Sequence, residues 1–340
     1  LINNDKKPLN NKAISGLYPP GSTIKTIVAL SALENDVWNP RKFINCSGVT
    51  ELYGEKFHCW KKKGHGPVDM RTAIKRSCDV YFYEVARILG VDRLSVTAKK
   101  FGLGKTVLDG FVEERSGIVQ NTNWKKKFIG KNWYLGETLH SGIGQGYFQS
   151  TPMQLCLMTA QLANGGFEIK PRIIYDGSEN KLKQYLDYKN ENPDDTLPTD
   201  LLVANFGLKP LFRNQENINF VKEAMYAATN EPGGTSYRSR LSDNKFMFAG
   251  KTGSSQVKRF TALQRELEVK QEELEYKDRD HALFVAYAPV KEPKYAISVV
   301  VEHGGTGSGA AAPIAKKVIK KVLERDRIRE TLNKTIGERA

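Results

Sequence analysis

The chain has 340 residues, 40 % of them hydrophobic and 26 % charged, with 52 Lys and Arg against 38 Asp and Glu for a formal charge of +14. That composition supports a sizeable buried core, which excludes a disordered or fibrous chain, and the length excludes a disulfide miniprotein. No run approaches the roughly 18 mainly apolar residues of a membrane span, the strongest being Ala282 to Ala288 and Ala296 to Val301.

Residues 1–18 are polar and rich in Asn and Lys, which reads as the end of a linker entering a domain. Pro19, Pro20 and Gly21 stop it, and Ser22 to Asn35 follows as a helix with apolar residues at Ile24, Ile27, Val28 and Leu33. Residues 38–70 read as irregular and hold two cysteines and two histidines, after which Met70 to Leu89 reads as helical. Between Trp133 and Gly166 a Gly-rich turn, Gly142 to Gly146, leads into a helix that begins at Thr151 and Pro152 and ends at Gly165. Residues 176–220 carry no clear pattern.

In the last third, Lys245 to Gln256, His281 to Pro289 and Lys294 to His303 read as strands, the last two joined by a turn at Val290 to Pro293. The charged stretch Lys258 to Asp280 reads as a surface excursion, and an amphipathic helix is expected from about Ala311 to Leu332. Helices first and an antiparallel sheet later, without a dinucleotide fingerprint, indicate an α+β domain. The basic clusters Lys61 to Lys63, Lys125 to Lys127 and Lys316 to Lys321 are scattered, with no zinc-finger, RNP or helix-turn-helix pattern. Each reads as a solvated face, and nucleic acid is not an expected partner.

The sharpest chemical feature is Ser22-Thr23-Ile24-Lys25. Residues three apart on a helix share a face, so Lys25 can lie beside the Ser22 hydroxyl and take its proton, provided burial or a second nearby lysine keeps Lys25 neutral. The spacing alone is weak, because Ser178 with Lys181, Ser242 with Lys245 and Ser255 with Lys258 repeat it. Context separates Ser22: a Pro-Pro-Gly turn precedes it and an apolar helix follows. Ser77-Cys78-Asp79 lies 55 residues on, and Lys251-Thr252-Gly253 lies 229 residues on in an expected strand. The order S-x-x-K, S-x-N or S-x-D, K-T-G is the known signature of penicillin-binding proteins and class A β-lactamases. Ser242-Asp243-Asn244 also matches the second motif but stands too close to Lys251 to come from a separate helical part.

Tyr18 to Lys25, Ser77 to Tyr83, Gly144 to Gly146, Thr151-Pro152, Gln154-Leu155, Gly233 to Thr235 and Lys251 to Val257 all resemble class B transpeptidases. Asp79, Lys61 to Gly66 and Asp280-His281-Ala282 resemble the elongation-type penicillin-binding protein 2 family. The resemblance covers nearly the whole chain and implies a transpeptidase fold, an antiparallel sheet flanked by helices plus a helical subdomain, over residues 19–332, followed by a tail at 333–340. It also implies an amino-terminal membrane helix and pedestal upstream of Leu1, and so a catalytic domain in the bacterial periplasm anchored to the inner membrane.

Carried over by motif, the resemblance makes Ser22 the acylated nucleophile, Lys25 its base and Ser77 a proton relay to the leaving amine, with Asp79 holding that segment and Lys25. Lys251 would supply positive potential that helps keep Lys25 neutral and binds the substrate carboxylate, Thr252 and Ser254 would hydrogen-bond that carboxylate beside Gly253, and the N–H groups of Ser22 and Ser254 would form the oxyanion hole. Ser254 stands where the family commonly has Thr. The implied activity is D,D-transpeptidation of peptidoglycan stem peptides ending in D-Ala-D-Ala during cell elongation, with β-lactams as inhibitors and a RodA-like SEDS glycosyltransferase and the elongation scaffold as partners. Alternatives are a D,D-carboxypeptidase or β-lactamase of the same fold, or a non-catalytic penicillin-sensing domain. Against the class A hydrolase, no E-x-x-x-N loop lies between the second and third motifs.

Cys156 sits in an apolar helix and reads as a core thiol. Cys46, Cys59, His65 and Cys78 fall within 33 residues, and three thiols with one imidazole form a structural zinc set. A disulfide, most simply Cys46 with Cys59, and unrelated buried thiols are the alternatives. Family members with zinc beside the second motif favour Zn2+. His58, His140, His281 and His303 read as structural or surface residues.

Overall fold

The computed structural model describes residues 4, 7–52, 54–174, 181–258, 264 and 269–337. The expected excursion at 258–280 and the expected tail at 333–340 therefore lie partly outside the described residues, as does Ser178.

The chain opens with α1 (Lys12–Ser15) and a bridge between Tyr18 and Ser150. The helix expected from Ser22 is in two parts: a 3-10 turn, Gly21–Ile24, and then α2 (Lys25–Glu34), which is buried along its whole length up to Leu33. The segment 38–70 is not irregular. It forms β1 (Ile44–Cys46), β2 (Val49–Leu52), β3 (Glu55–His58) and β4 (Gly66–Val68), paired antiparallel as β1–β4 and β2–β3. These strands are too short for a period-2 pattern to register in sequence.

The helical stretch expected at 70–89 is likewise broken into α3 (Met70–Arg76) and α4 (Asp79–Leu89), with Ser77 between them in the left-handed region at φ 55°. The Asp69 carboxylate caps α3 by accepting from the Thr72 N–H over 2.8 Å. Further helices are α5 (Val91–Lys100), α6 (Thr122–Ile129), α7 (Leu135–Gly142) and α8 (Pro152–Ala163). The start of α8 at Thr151 and Pro152 is a capping box, in which Thr151 Oγ1 accepts from Gln154 N–H and Gln154 Oε1 accepts from Thr151 N–H. The unpatterned region holds α9 (Lys181–Glu191), α10 (Thr199–Phe206) and α11 (Gln215–Asn230).

The three expected strands are β5 (Ala249–Ser255), β6 (His281–Ala288) and β7 (Tyr295–Val301), in an antiparallel sheet of order β5-β6-β7. A π-helical turn, Gly307–Ala311, precedes α12 (Ala312–Gly337). Alternation along β6 explains its continuous apolar run. Leu283, Val285 and Tyr287 enter the core built on α2, α4, α8 and α11, whereas Ala282, Phe284, Ala286 and Ala288 pack with Ala312, Ala315, Ile319 and Leu323 of α12. The molecule is thus a sheet between two helical layers, the expected α+β class. Among the described residues, no helix is long and apolar enough to cross a membrane.

Lys61, Lys62 and Lys63 are exposed, as expected. Lys125 is not: it is buried, and its ammonium donates to both oxygens of Glu137 at 2.6 and 2.7 Å. Cys156 is half-buried, with its thiol on the Ala296 carbonyl of β7.

Candidate active site

Ser22 stands half-exposed on the 3-10 turn that abuts β5. The approach is close enough to require glycines. At Gly21, φ is +52° and a Cβ would lie 2.4 Å from the Ser254 carbonyl oxygen. On the β5 side, a Cβ at Gly253 would lie 2.9 Å from the Thr23 methyl. The Gly144–Gln145 turn braces both partners, since Gly144 O accepts from Gly21 N–H over 3.0 Å and the Gln145 amide donates to Ser254 O over 3.3 Å.

Lys25 lies at the first position of α2, wholly buried. Its ammonium donates to Asp79 Oδ1 at 2.6 Å, to Ser77 O at 3.0 Å and to Ser77 Oγ at 3.2 Å. These bonds go to the second motif rather than to Ser22. Lys251 is also wholly buried, because the register pairs it with Val285 and turns it to the helical-core face of the sheet. Its Nζ donates to Ser77 Oγ over 2.8 Å and to Thr252 O over 3.0 Å. Ser77 Oγ thus receives both lysines. Its left-handed backbone, uncommon for a residue with a Cβ, is fixed from several sides: its N–H donates to Ile74 O, and its carbonyl accepts from Lys25 and from the Trp60 indole.

Burial pushes the Lys251 ammonium well below its usual range, the neighbouring Lys25 charge adds to this, and Asp79 opposes it. The Asp79 carboxyl is pushed up by burial, against the Lys25 charge. The expectation was that Lys251 carries the fixed charge that discharges Lys25. In the structure it is Lys251 whose charge burial disfavours, while Lys25 has a carboxylate partner.

Thr252, Gly253 and Ser254 lie along the edge strand β5, which leaves one side open to an incoming chain. The Thr252 hydroxyl donates to Thr235 Oγ1 over 2.9 Å, which ties the Gly233–Thr235 turn to the strand, and Ser254 is half-exposed.

Cys46, Cys59, His65 and Cys78 are brought together by β1, the end of β3, the start of β4 and the α3–α4 break, all four buried and with ligand atoms within 4.8 Å of one another. His65 Nδ1 is 3.6 Å from Cys46 Sγ and 3.5 Å from Cys59 Sγ. A tetrahedral ion with bonds of about 2.3 Å to sulfur and 2.0 Å to nitrogen sets ligand edges of about 3.5 Å, so the donor set fits zinc in identity and spacing. His65 Nε2 is buried without a hydrogen-bond partner among the described residues. Burial pushes the Cys46 thiol up, and a hydrogen bond from Cys78 pulls the Cys59 thiol far down. Four soft donors are thus packed together with one sulfur already prone to ionise.

Trp60 is the functional neighbour that sequence reasoning does not single out. Its backbone N–H donates to Asp79 Oδ2 over 2.8 Å and its indole to Ser77 O over 2.9 Å. Its place directly after Cys59 was the available signal.

A serine on a tight turn, facing an edge strand and followed by two buried lysines that meet at a second serine, defines the penicillin-interactive class of site, and the comparisons agree. The chain belongs to the penicillin-binding protein transpeptidase domain family: the model described as "Penicillin binding protein transpeptidase domain" matches residues 2–320. It is similar to the peptidoglycan D,D-transpeptidase MrdA of Salmonella typhimurium strain LT2, at 33 % identity over 94 % of this chain and 48 % of that protein. MrdA of Escherichia coli strain K12 is 32 % identical over 90 % of this chain and 46 % of its own length. Among solved structures, Pseudomonas aeruginosa PBP2 in complex with WCK 5153 matches with TM-score 0.75 and 35 % identity, covering 94 % of this chain and 64 % of that one. Helicobacter pylori PBP2 in complex with MreC matches with TM-score 0.78 and 32 % identity, covering 95 % and 53 %. The chain spans about half the length of the curated relatives it matches. The expected family and fold are borne out.

Proposed function

We propose that this domain is the catalytic part of a D,D-transpeptidase that cross-links peptidoglycan stem peptides during cell elongation. The observation that carries this is the meeting of Lys25 and Lys251 on Ser77 Oγ, beside a glycine-lined contact between the Ser22 turn and β5. In the first step Ser22 Oγ attacks the carbonyl of the penultimate D-Ala and its proton passes to the Lys25 amine, which Asp79 and Ser77 hold in place. The developing oxyanion faces the N–H groups of Ser22 and Ser254. Ser77, hydrogen-bonded to both lysines, relays a proton to the departing D-Ala amine. In the second step an amine of another stem attacks the ester, Ser22 regains its proton, and the cross-link is released. Thr252, Gly253 and Ser254 hold the donor carboxylate along the β5 edge. β-Lactams acylate Ser22 by the same first step.

By likeness to MrdA and to the PBP2 that was solved with MreC, the whole protein is proposed to work at the periplasmic face of the inner membrane with the elongation scaffold and a RodA-like SEDS glycosyltransferase. We also propose that Cys46, Cys59, His65 and Cys78 hold Zn2+, which would supply a structural clamp and no chemistry. Metal analysis of purified chain checks this: about one zinc per chain is expected, lost with Cys59→Ser, and a metal-free unchelated chain refutes it.

Labelling with a fluorescent penicillin tests the activity. Stoichiometric, slowly released label on Ser22 is expected, with none on Ser22→Ala. Rapid turnover of the drug favours a β-lactamase. Release of D-Ala from a stem peptide without cross-linking favours a carboxypeptidase, and stable labelling without reaction on a stem-peptide thioester favours a sensor.

A further inference from the structure

An aromatic surface lies beside the Gly144–Gln145 brace. Trp124 of α6 packs at a tilt against Phe128 and against Tyr147, with ring centroids 6.0 and 5.3 Å apart. Phe128 is 64 % exposed and Tyr147 38 % exposed, so the rings form a ridge open to solvent. Buried Lys125 extends the ridge by lying 4.6 Å from the ring centre of Tyr134, itself 64 % exposed. Lys127 stands exposed beside it, its Nζ 5.4 Å from the Phe128 ring centre, and the sequence has no acidic residue from Ser116 to Gly136. The next acid, Glu137, is occupied by Lys125 and by the Tyr134 N–H. Lys127 forms no ion pair among the described residues.

The ridge is joined to the catalytic cleft by hydrogen bonds. Tyr147 N–H donates to Gln120 Oε1 at 2.7 Å, the Gln120 amide donates to Gln145 O at 3.1 Å, and Gln145 reaches Ser254 O. Tyr147 follows Gly144 by three residues, so it lies within about 11 Å of the glycine that bonds the nucleophile turn. Exposed aromatic faces offer flat apolar surface to the C–H faces of sugar rings, and unpaired lysines offer charge to carboxylates.

We propose that the ridge of Trp124, Phe128, Tyr147 and Tyr134, with Lys127, is a docking subsite for the glycan strand whose carboxylate-bearing stem peptides enter the cleft. The inference rests on the transpeptidase reading and deepens it. A lipid surface offers the same negative charge, but it would need no continuity with Gln145 and Ser254, whereas a strand carrying a stem peptide to Ser22 must pass the rim.

The test is binding of soluble, uncross-linked glycan strands bearing pentapeptide stems to purified chain and to the double variant Lys127→Ala, Phe128→Ala. Both side chains are exposed, so the variant should melt as the wild type does. Strand affinity is expected to fall about tenfold or more in that variant, to stay near the wild-type value in Lys127→Arg, and to weaken with salt. Unchanged strand binding in the double variant overturns the proposal. So does loss of binding to phosphatidylglycerol vesicles with strand binding untouched, which would make the ridge a membrane contact. Penicillin labelling of the wild type separates the two readings: ridge-dependent strand binding without acylation refutes the transpeptidase and leaves a strand-binding ridge.

Discussion

The Trp60 backbone N–H donates to one oxygen of Asp79 while the other oxygen takes the Lys25 ammonium. Trp60 follows Cys59 directly, and Cys78 precedes Asp79, so the cysteine cluster holds the second motif at both of its contacts with the lysine. The stiffness of that motif is thus set partly outside the cleft. Asp79→Asn keeps the shape and removes the charge, which leaves a buried ammonium without its counter-ion. A loss of about 3 kcal/mol in stability is expected, together with slow acylation. Urea unfolding and the rate of penicillin labelling measure the two; an unchanged midpoint would remove the ion pair from the account.

If zinc fills the cluster, a strong chelator should lower the melting temperature before it lowers acylation, because the ligands clamp Asp79 and Ser77 rather than touch substrate. Cys59→Ser should melt low with or without chelator. Equal melting of chelated and unchelated wild type, with metal content measured in both, would count against a structural ion.

Gly21 tests the contact between the first and third motifs. Alanine there must adopt a left-handed backbone and put a methyl against the Ser254 carbonyl, so the turn or the strand has to move. A displacement of an ångström at the nucleophile is expected to slow acylation about 100-fold. Stopped-flow labelling of Gly21→Ala at the wild-type rate would show that the two segments are free to separate.

Asp280 gives a pH test away from the cleft. Burial raises its carboxyl from 3.8 to about 6, against hydrogen bonds donated by Val257 N–H and the Gln271 amide. The folded chain therefore holds this proton more tightly than the unfolded chain. The stabilisation is complete below pH 3.8 and is lost as pH rises through about 6. Neighbouring groups titrate too, including His281, whose basicity burial lowers, so the comparison is between wild type and Asp280→Asn. The melting temperature of the wild type relative to the variant should fall between about pH 4 and about pH 7, which span nearly all of the window from 3.8 to about 6; parallel curves would exclude the carboxyl.

Among the candidate catalytic residues, Ser22 and Lys251 were legible from conformational signals, Pro-Pro-Gly before Ser22 and a β-strand around Lys251, and Ser77 from its place in the order of motifs. The three strands of the β5-β6-β7 sheet were legible from short apolar runs and the turn at Val290 to Pro293, and α8 from Thr151-Pro152 at its start. The strands between Ile44 and Val68 were not, because three- or four-residue strands carry no period and are held by the packing of Cys46, Phe57 and Val68. Nor was the break at Ser77, since a left-handed serine costs energy that is offset by contacts from residues distant in sequence, Lys25, Trp60 and Lys251. The burial of Lys251 and the pairing of Lys25 with Asp79 come from packing between distant segments, which spacing does not reveal.

Glu231 connects the second motif's helix to the turn beside β5. Its carboxylate accepts from Arg71 and Lys75 of α3, and Arg71 first and Lys75 second hold it down at about 2. Two residues on, Gly233–Thr235 returns to α3, where Thr235 N–H donates to Lys75 O over 3.2 Å, and Thr235 Oγ1 accepts from Thr252. The depressed carboxyl contributes stability that is present above pH 4.5 and lost as pH falls toward about 2. Because the pair is partly solvated, Glu231→Gln should cost only about 1 kcal/mol at low salt and less at high salt. Its larger effect should fall on the third motif, with weaker capture of a carboxylate-bearing substrate as Thr235 and Thr252 lose their fixed spacing. Penicillin labelling over a range of drug concentrations would register this as a rise in the half-saturating concentration with little change in the limiting rate; a fall in the limiting rate alone would place the turn's influence on Ser22 instead.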